Sequence, residues 1–548
     1  MATILSKSLS WLQHNHRWEK ILAAAVLALA AFLLFYNLDL NPRPWQDEGA
    51  VDTIAKTLVQ HGVYATETAD GYETYGGVQS VGPTVVLPIA LAYRLWGVGL
   101  VQARWVMALY AFVTLVLLYL TGQTMFNRRV AIIAVILVLG SQAVGYFIYG
   151  RPVFNEVPAL GFFLAGWLVW NQAIRRNRSL LAVLAGLLFG LAMVTKAYYV
   201  IVVSGTIVLL ALMDWVFYHQ HRFKYLLFLG AGALACYGIW TGWQWLYFGA
   251  TEFAANLEKL RQLASATTGI NLTWIGNAIK RLIGPDTSYF YFYWGFLSLL
   301  YAIPLCLRRT REAFLLAFVL VLTLLWIAYY VFWSMPIYRY VFPFAAIMGL
   351  FVAKLVYDVA SGFVTTSRDF WPALRRYVSG QADLPPLALV SLCALVGLTS
   401  FTLLVGYEFQ RTVRMDVLDT VGVEKHAVAT PPQLRVPQQV VDFLNEHIPC
   451  DEVIETWERE LGALTDHTYH YPDQLMLAKI NNFVFHGGEY FSLGADYFNS
   501  VRPSYVIDGW FARGNFVYDA DFLKENAQLI ASFGEGDWRY DIYQMNSP

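Results

Sequence analysis

The chain has 548 residues, of which 57% are hydrophobic and 14% charged, and its 38 basic and 39 acidic residues leave a net charge of −1. Soluble domains average roughly 45–50% apolar and about 25% charged residues, so a water-soluble multidomain protein is excluded, and the 16% aromatic content excludes a disordered chain. The sign balance lacks the basic footprint of a nucleic-acid-binding protein, and the composition is that of a polytopic membrane protein.

In chain order, Lys7, Arg17 and Lys20 precede an apolar run from 21 to 36. That run is longer than a signal-peptide core and no small-residue cleavage motif follows it before Asn37, so it reads as a retained signal-anchor span. Apolar runs of crossing length lie near 19–37, 103–125, 130–149, 157–174, 179–195, 197–217, 225–247, 288–307, 313–333, 338–359 and 386–406, which makes eleven. The stretch 84–97 is shorter and carries Pro88, Tyr93 and Arg94. Basic clusters at Arg128/Arg129, Arg175/Arg176/Arg178, Arg222/Lys224, Arg308/Arg309/Arg311 and Arg375/Arg376 all fall on the cytoplasmic side only if 84–97 does not cross. The sequence therefore predicts about eleven spans, a cytoplasmic N-terminus, and 84–97 as a juxtamembrane helix on the outer side. The loop 38–102, the turns at Glu156, Lys196 and 334–339, the loop 248–287 and the tail then face outward.

Two regions follow: a membrane domain over 1–409 and a more polar extracytoplasmic domain over 410–548. In the latter, 437–447 predicts an amphipathic helix, and Val453 to Trp457, Ser504 to Ile507 and the runs near 528–533 and 538–545 predict strands. Cys236, Cys306 and Cys393 sit in apolar runs and Cys450 stands alone, a distribution without disulfide or zinc spacing.

Four outward-facing places hold polar residues that topology does not require. Arg43-Pro44-Trp45-Gln46-Asp47-Glu48 puts two adjacent acids after the first span; acids after a proline also suit a helix N-terminus. Glu156 opens the run after Arg151-Pro152-Val153-Phe154-Asn155, and an ionisable group at a span mouth marks either an anchor or a site. Thr195-Lys196 sets a lysine in a turn on the face where basic residues are disfavoured, and Tyr338-Arg339-Tyr340 sets an arginine among aromatics. Carboxylates can accept a hydroxyl proton and cations can stabilise a departing phosphate, so the set suits a phosphate-bearing lipid meeting a polar acceptor. The chain has no Walker-type phosphate loop.

This order and spacing resembles the C-type membrane glycosyltransferases, above all prokaryotic relatives of the dolichyl-phosphate-mannose protein mannosyltransferases and of the lipid A aminoarabinose transferases. The marks are Asp47-Glu48, Trp96-Gly97 with Ala103-Arg104, Phe126-Asn127-Arg128-Arg129, Glu156, Thr195-Lys196, and Arg339-Tyr340 with Pro343. The resemblance covers roughly 20–345. It implies a multi-pass α-helical fold of about eleven spans with outer juxtamembrane helices and a small α/β C-terminal domain, in the plasma membrane. It further implies transfer of a hexosyl or pentosyl group from a polyprenyl-phosphate donor to a hydroxyl of a protein, lipid or glycan acceptor, with inversion. Asp47, Glu48 and Glu156 would be catalytic, Lys196, Arg339 and Arg43 would meet the donor phosphate, and Asp47 with Glu156 could hold a divalent metal, Mg or Mn. Two departures stand out: Ser80-Val81-Gly82-Pro83-Thr84 lacks the lysine of the family's first-loop motif, and the second-loop acid is Glu rather than Asp. A flippase for a lipid-linked saccharide and a non-catalytic assembly subunit remain as alternatives; convergence of Asp47, Glu156, Lys196 and Arg339 in one cavity distinguishes the last from an enzyme.

Overall fold

Hydrocarbon offers backbone N–H and C=O groups no partner, so apolar segments must satisfy those groups internally, as helices. The computed structural model describes residues 16–74, 82–220, 222–284, 290–378, 386–413 and 435–546, apart from 474–475, 477–478, 481–482 and 484–488. Its membrane part comprises, in order, α1 (His16–Phe35), α2 (Gln46–His61), the hairpin β1 (Thr66–Thr68) and β2 (Gly71–Glu73), α3 (Pro83–Trp96), α4 (Leu100–Met125), α5 (Arg128–Gly140), the short α6 (Tyr146–Gly150), α7 (Glu156–Arg176), α8 (Ser179–Thr195) and α9 (Tyr198–Met213). It continues with α10 (Phe223–Phe248), α11 (Ala250–Thr267), α12 (Leu272–Ile283), α13 (Phe290–Cys306), α14 (Arg311–Phe332), α15 (Phe342–Val378) and α16 (Pro386–Thr412).

Among the described residues, eight helices are long and apolar enough to cross a membrane: α1, α4, α7, α9, α10, α14, α15 and α16. Two more of the expected runs form the shorter apolar helices α8 and α13, of 17 residues each. The expected span at 130–149 is not continuous. Its helix ends at Gly140, Gly145 turns in the left-handed region (φ 60°), and the five-residue α6 follows. The Val144 and Gly145 N–H groups close the turn on the Ser141 carbonyl, and Ser141 Oγ, just past the helix end, donates to Glu408 Oε2 of α16 (2.5 Å). The segment 84–97 forms α3, a separate 14-residue helix.

Helix packing uses small residues where backbones must approach closely. At the α8–α10 crossing, a methyl on Gly186 would collide with the Leu229 carbonyl, and one on Gly232 with the Val183 carbonyl. Trp167, Trp170 and Trp326 are fully buried in the same core.

The C-terminal domain comprises α17 (Val436–His447), β3 (Val453–Thr456), α18 (Arg459–Leu464), β4 (Thr468–His470), α19 (Ala495–Val501), β5 (Tyr505–Asp508), α20 (Trp510–Gly514), α21 (Ala520–Asn526), β6 (Ala527–Phe533) and β7 (Tyr540–Met545). Pro437 fits the first turn of α17, and Val436, Val440, Val441 and Leu444 form its buried stripe. The five-stranded sheet runs β4-β3-β5-β7-β6, with β3 parallel to β4 and β5, and β7 antiparallel to β5 and β6. The predicted helix and strands are present; β4 and the short helices are additions that local pattern did not signal.

α2 joins the two parts. Its first turn follows Trp45, and acids in a first turn favour the helix dipole. Gly49 packs directly on the backbone of Arg459 and Glu460, and a side chain there would collide with it. Lys56 Nζ donates to the Gly462 carbonyl (3.1 Å) and pairs with Asp466 (2.8 Å). Ala69 of the β1–β2 turn donates its N–H to the Tyr469 carbonyl (2.7 Å). The C-terminal domain is therefore docked onto the segment that follows the first span.

Beneath this contact, Arg104 of α4 binds Glu48 of α2 at 2.8 and 2.7 Å, with side chains 0% and 1% exposed. Arg104 Nη1 also donates to the Leu38 carbonyl (2.8 Å), and Glu48 Oε1 accepts from the Val153 N–H (3.2 Å). Removing one member of a buried pair leaves an uncompensated charge and costs ~3–5 kcal/mol. Arg104→Met is therefore expected to lower the unfolding temperature of the purified protein, followed by intrinsic fluorescence, and the double variant Glu48→Gln/Arg104→Met to regain most of the loss. An unchanged transition in Arg104→Met would show that the pair does not hold the loop.

Candidate active site

Four elements distant in sequence meet at one mouth of the helical bundle. Asp47 comes from the first turn of α2 and Glu156 from the first residue of α7. Lys196 occupies the break between α8 and α9, and Arg339 a short 3-10 turn, Tyr338–Tyr340, ahead of α15. Each is locally constrained. Thr195 Oγ1 donates to the Leu191 carbonyl (2.6 Å) and lies 2.7 Å from Thr84 Oγ1, which ties the end of α8 to α3. The Arg339 turn starts beyond Pro336, and the Ile337 N–H reaches back to the Met335 carbonyl (2.8 Å).

The side chains form a chain of alternating charge. Lys196 Nζ lies 2.9 Å from Glu156 Oε1, Arg339 Nε lies 3.8 Å from the same oxygen, and Arg339 Nη1 pairs with Asp47 Oδ2. Exposure rises along it: the side chain of Glu156 is 0% exposed, Lys196 17%, Arg339 21% and Asp47 38%. The cluster is thus closed at the protein end and open at Asp47. Glu156 Oε2 and the hydroxyls of Tyr198 and Tyr199 are buried without hydrogen-bond partners among the described residues. Lys196 Nζ lies 5.7 and 5.8 Å from the ring centroids of Tyr198 and Tyr340, and the Arg339 guanidinium 5.9 Å from that of Phe154.

Electrostatics follow from this geometry. Burial raises the pKa of Asp47, but Arg339 and then Lys196 outweigh it and hold the carboxyl below its ordinary range. Burial opposes charge on Arg339, yet Asp47, Tyr340 and Glu156 together hold its pKa well above the ordinary value. Trp45 Nε1 donates to the same oxygen, Asp47 Oδ2 (3.2 Å), and helps fix the carboxylate.

Of the residues singled out in the sequence, Asp47, Glu156, Lys196 and Arg339 converge. Glu48 does not: it turns inward to Arg104, because consecutive helix positions point about 100° apart. It belongs to the scaffold beneath the site. Arg43 does not meet the cluster either. Its guanidinium lies 5.0 Å from the Trp510 ring centroid and 4.6 Å from that of Trp538, and donates to the Tyr540 hydroxyl (3.2 Å). Arg43 therefore holds the C-terminal domain rather than an anion. The departure at Ser80 and Val81 lies outside the described residues. Trp45, Phe154 and Tyr198 surround the charged groups without having been singled out as functional; their positions beside Asp47, Glu156 and Lys196 were the available signal.

The expected divalent metal does not fit the donor set as it stands. The group between Asp47 and Glu156 is the Arg339 guanidinium, and among the described residues no cluster of three or more His, Cys, Asp or Glu side chains exists.

Residues 80–243 match the family model described as dolichyl-phosphate-mannose-protein mannosyltransferase, which includes Glu156 and Lys196. An uncharacterised protein of Aquifex aeolicus (strain VF5) is 24% identical over 268 residues, 49% of each chain, so the match spans about half the length of that curated relative. The crystal structure of ArnT from Cupriavidus metallidurans bound to undecaprenyl phosphate superposes with a TM-score of 0.58 at 13% identity, covering 96% of this chain and 98% of that one. The Archaeoglobus fulgidus oligosaccharyltransferase tethered to an acceptor peptide superposes with a TM-score of 0.54 at 14% identity, covering 98% of this chain and 75% of that one. The chain thus shares its fold with these two membrane proteins, a helical membrane part followed by a small C-terminal sheet region, which is the architecture that the resemblance implied.

The ion pair makes a direct prediction. Arg339→Gln removes the strongest of the influences that stabilise the Asp47 carboxylate, so its pKa must rise. Infrared titration, taken as the difference between Arg339→Gln and Arg339→Gln/Asp47→Asn, is expected to place the carboxylate transition at higher pH than the corresponding wild-type difference. An unshifted midpoint would contradict the assigned pairing.

Proposed function

We propose that this protein transfers a hexosyl or pentosyl group from a polyprenyl-phosphate donor to a hydroxyl acceptor, with inversion at the anomeric carbon. The observation that carries the reading is the convergence of Asp47, Glu156, Lys196 and Arg339 from four separate elements at one mouth of the bundle. The same convergence weighs against an assembly subunit, and its place at the helix ends rather than mid-span weighs against a flippase. In support stand the family-model match and the likeness to one structure bound to undecaprenyl phosphate and another tethered to an acceptor peptide.

The chemistry proceeds from the charges. The prenyl chain lies between spans and the donor phosphate meets Lys196 and Arg339. Guanidinium suits bidentate contact with phosphate oxygens, so the donor competes with Asp47 for Arg339. Loss of that contact raises the basicity of Asp47 when donor is in place. Asp47 then takes the acceptor hydroxyl proton, the acceptor oxygen bonds to the anomeric carbon, and the carbon–oxygen bond to phosphate breaks with its electron pair leaving on the phosphate. Lys196 and Arg339 stabilise that charge, and buried Glu156 holds both cations in position. Positioning and preorganised charge supply the acceleration.

The site faces the extracytoplasmic side of the plasma membrane in this reading. Glu156 opens α7 and Arg175 and Arg176 close it; Arg339 precedes α15 and Arg375 and Arg376 close that helix. The basic clusters thus sit at the far ends of helices whose near ends carry the site, and positive charge marks the cytoplasm.

The test is a purified assay with radiolabelled polyprenyl-phosphate sugar, following donor binding and donor consumption separately. Asp47→Asn is expected to lower turnover by roughly 10²–10⁴-fold, the usual worth of a general base, with donor affinity kept or raised, because the amide competes less well for Arg339. Lys196→Ala and Arg339→Ala are each expected to weaken donor binding tenfold or more, since a hydrogen bond to a charged group is worth ~1.5–3 kcal/mol. Full turnover by Asp47→Asn would remove it as base; undiminished donor affinity in both cation variants would remove the phosphate clamp.

A further inference from the structure

Resting on that reading, we infer that the acceptor is a saccharide, and that it docks on an aromatic platform built jointly by the loop after the first span and the C-terminal domain. The platform is made of Trp45, Trp510 and Trp538. Trp45 packs edge-on against Trp510 with centroids 5.1 Å apart, and Trp510 lies 4.9 Å from Trp538. Trp45 and Trp538 remain 37% and 39% exposed. Large, partly open indoles have a physical cause when something rigid holds them open. Here the Arg43 guanidinium lies over both Trp510 and Trp538 and is tied to Tyr540, while Trp45 is wedged between Trp510 and Phe154 (6.3 Å).

The platform is aligned with the chemistry. The Trp45 N–H that donates to Asp47 Oδ2 places its ring beside the carboxylate that must reach the acceptor hydroxyl. A molecule stacked on Trp45 therefore presents its edge to Asp47. Arg539, the next residue after Trp538, is 46% exposed and pairs with Asp541 at 2.7 Å, so this end of the domain also carries planar hydrogen-bonding groups.

This combination matches one chemistry. A pyranose has an apolar C–H face that lies flat on an indole and a rim of hydroxyls that needs carboxylate and guanidinium partners, and tryptophan offers a broad apolar body with one donor. An extended peptide is instead captured along a free strand edge. The open indoles belong to the β6–β7 turn and to the residue before α2, not to an edge strand.

The experiment is saturation-transfer NMR on the full-length protein in a sugar-free detergent, since alkyl glycosides would occupy the platform. The probes are maltohexaose, cellohexaose and chitohexaose, with a Ser/Thr-rich peptide beside them. Transfer to the ring protons of at least one hexasaccharide is expected, falling at least fivefold in Trp538→Leu and surviving in Trp538→Tyr. Should Trp538→Leu not fold, Trp45→Leu carries the same expectation. Transfer to none of the three saccharides, equal transfer in wild type and the leucine variant, or transfer to the peptide alone would overturn the inference. Binding of radiolabelled polyprenyl phosphate to the same wild-type preparation separates the two readings. Donor binding without saccharide binding overturns the platform alone, and saccharide binding without donor binding removes the donor reading.

Discussion

The Glu48–Arg104 pair is the constraint on which the arrangement depends. Two charges withdrawn from water need close mutual contact and further hydrogen bonds, and here Leu38 and Val153 supply them. Leu38 ends the approach from the first span, and Val153 lies in the loop that leads into Glu156. One buried pair therefore ties α2, α4 and the loop before α7 to a common point. Because Glu48 is committed inward, the helical rotation sets Asp47 toward the opening, where Arg339 and Trp45 meet it.

Above that anchor, the charges of the site neutralise one another in the protein without donor. Two carboxylates face two cations, and burial deepens from Asp47 toward Glu156. A low-dielectric site strengthens such contacts, so an incoming anion is favoured only if it replaces a contact it breaks. On the proposed reading, the phosphate does so at Arg339, and the same exchange that binds the donor readies Asp47. Binding and basicity are then two consequences of one guanidinium's choice of partner.

The C-terminal domain shares in this economy of contacts. Gly49 lets its backbone approach α2, Lys56 bonds into it, and Arg459 reaches Glu73 at 3.3 Å. His470 bridges buried Glu455 and Asp70 of the β1–β2 turn, at 2.5 and 3.1 Å. Close by, Glu458 and Glu460 are buried together. Burial and then Glu460 push the Glu458 carboxyl well above its usual range. These contacts are polar and specific, so the domain is held in register over the site rather than tethered beside it.

Much of this was legible in residue order. Hydropathy and the basic clusters required a multi-pass helical protein, the C-terminal pattern marked a helix and four strands, and acids or cations where topology has no use for them identified Asp47, Glu156, Lys196 and Arg339. Those features depend on composition and local period, which each segment carries on its own. The break after Gly140, the separation of Asp47 from Glu48, and the commitment of Arg43 to Trp510 and Trp538 were not legible. Each involves a partner far along the chain: Glu408 beside Ser141, Arg104 for Glu48, the β6–β7 turn for Arg43. Sequence determined which charged groups exist and which end of the bundle they occupy. Only the tertiary structure decided which of them face one another, because the direction of a side chain is set by the packing around it and not by its neighbours in the chain.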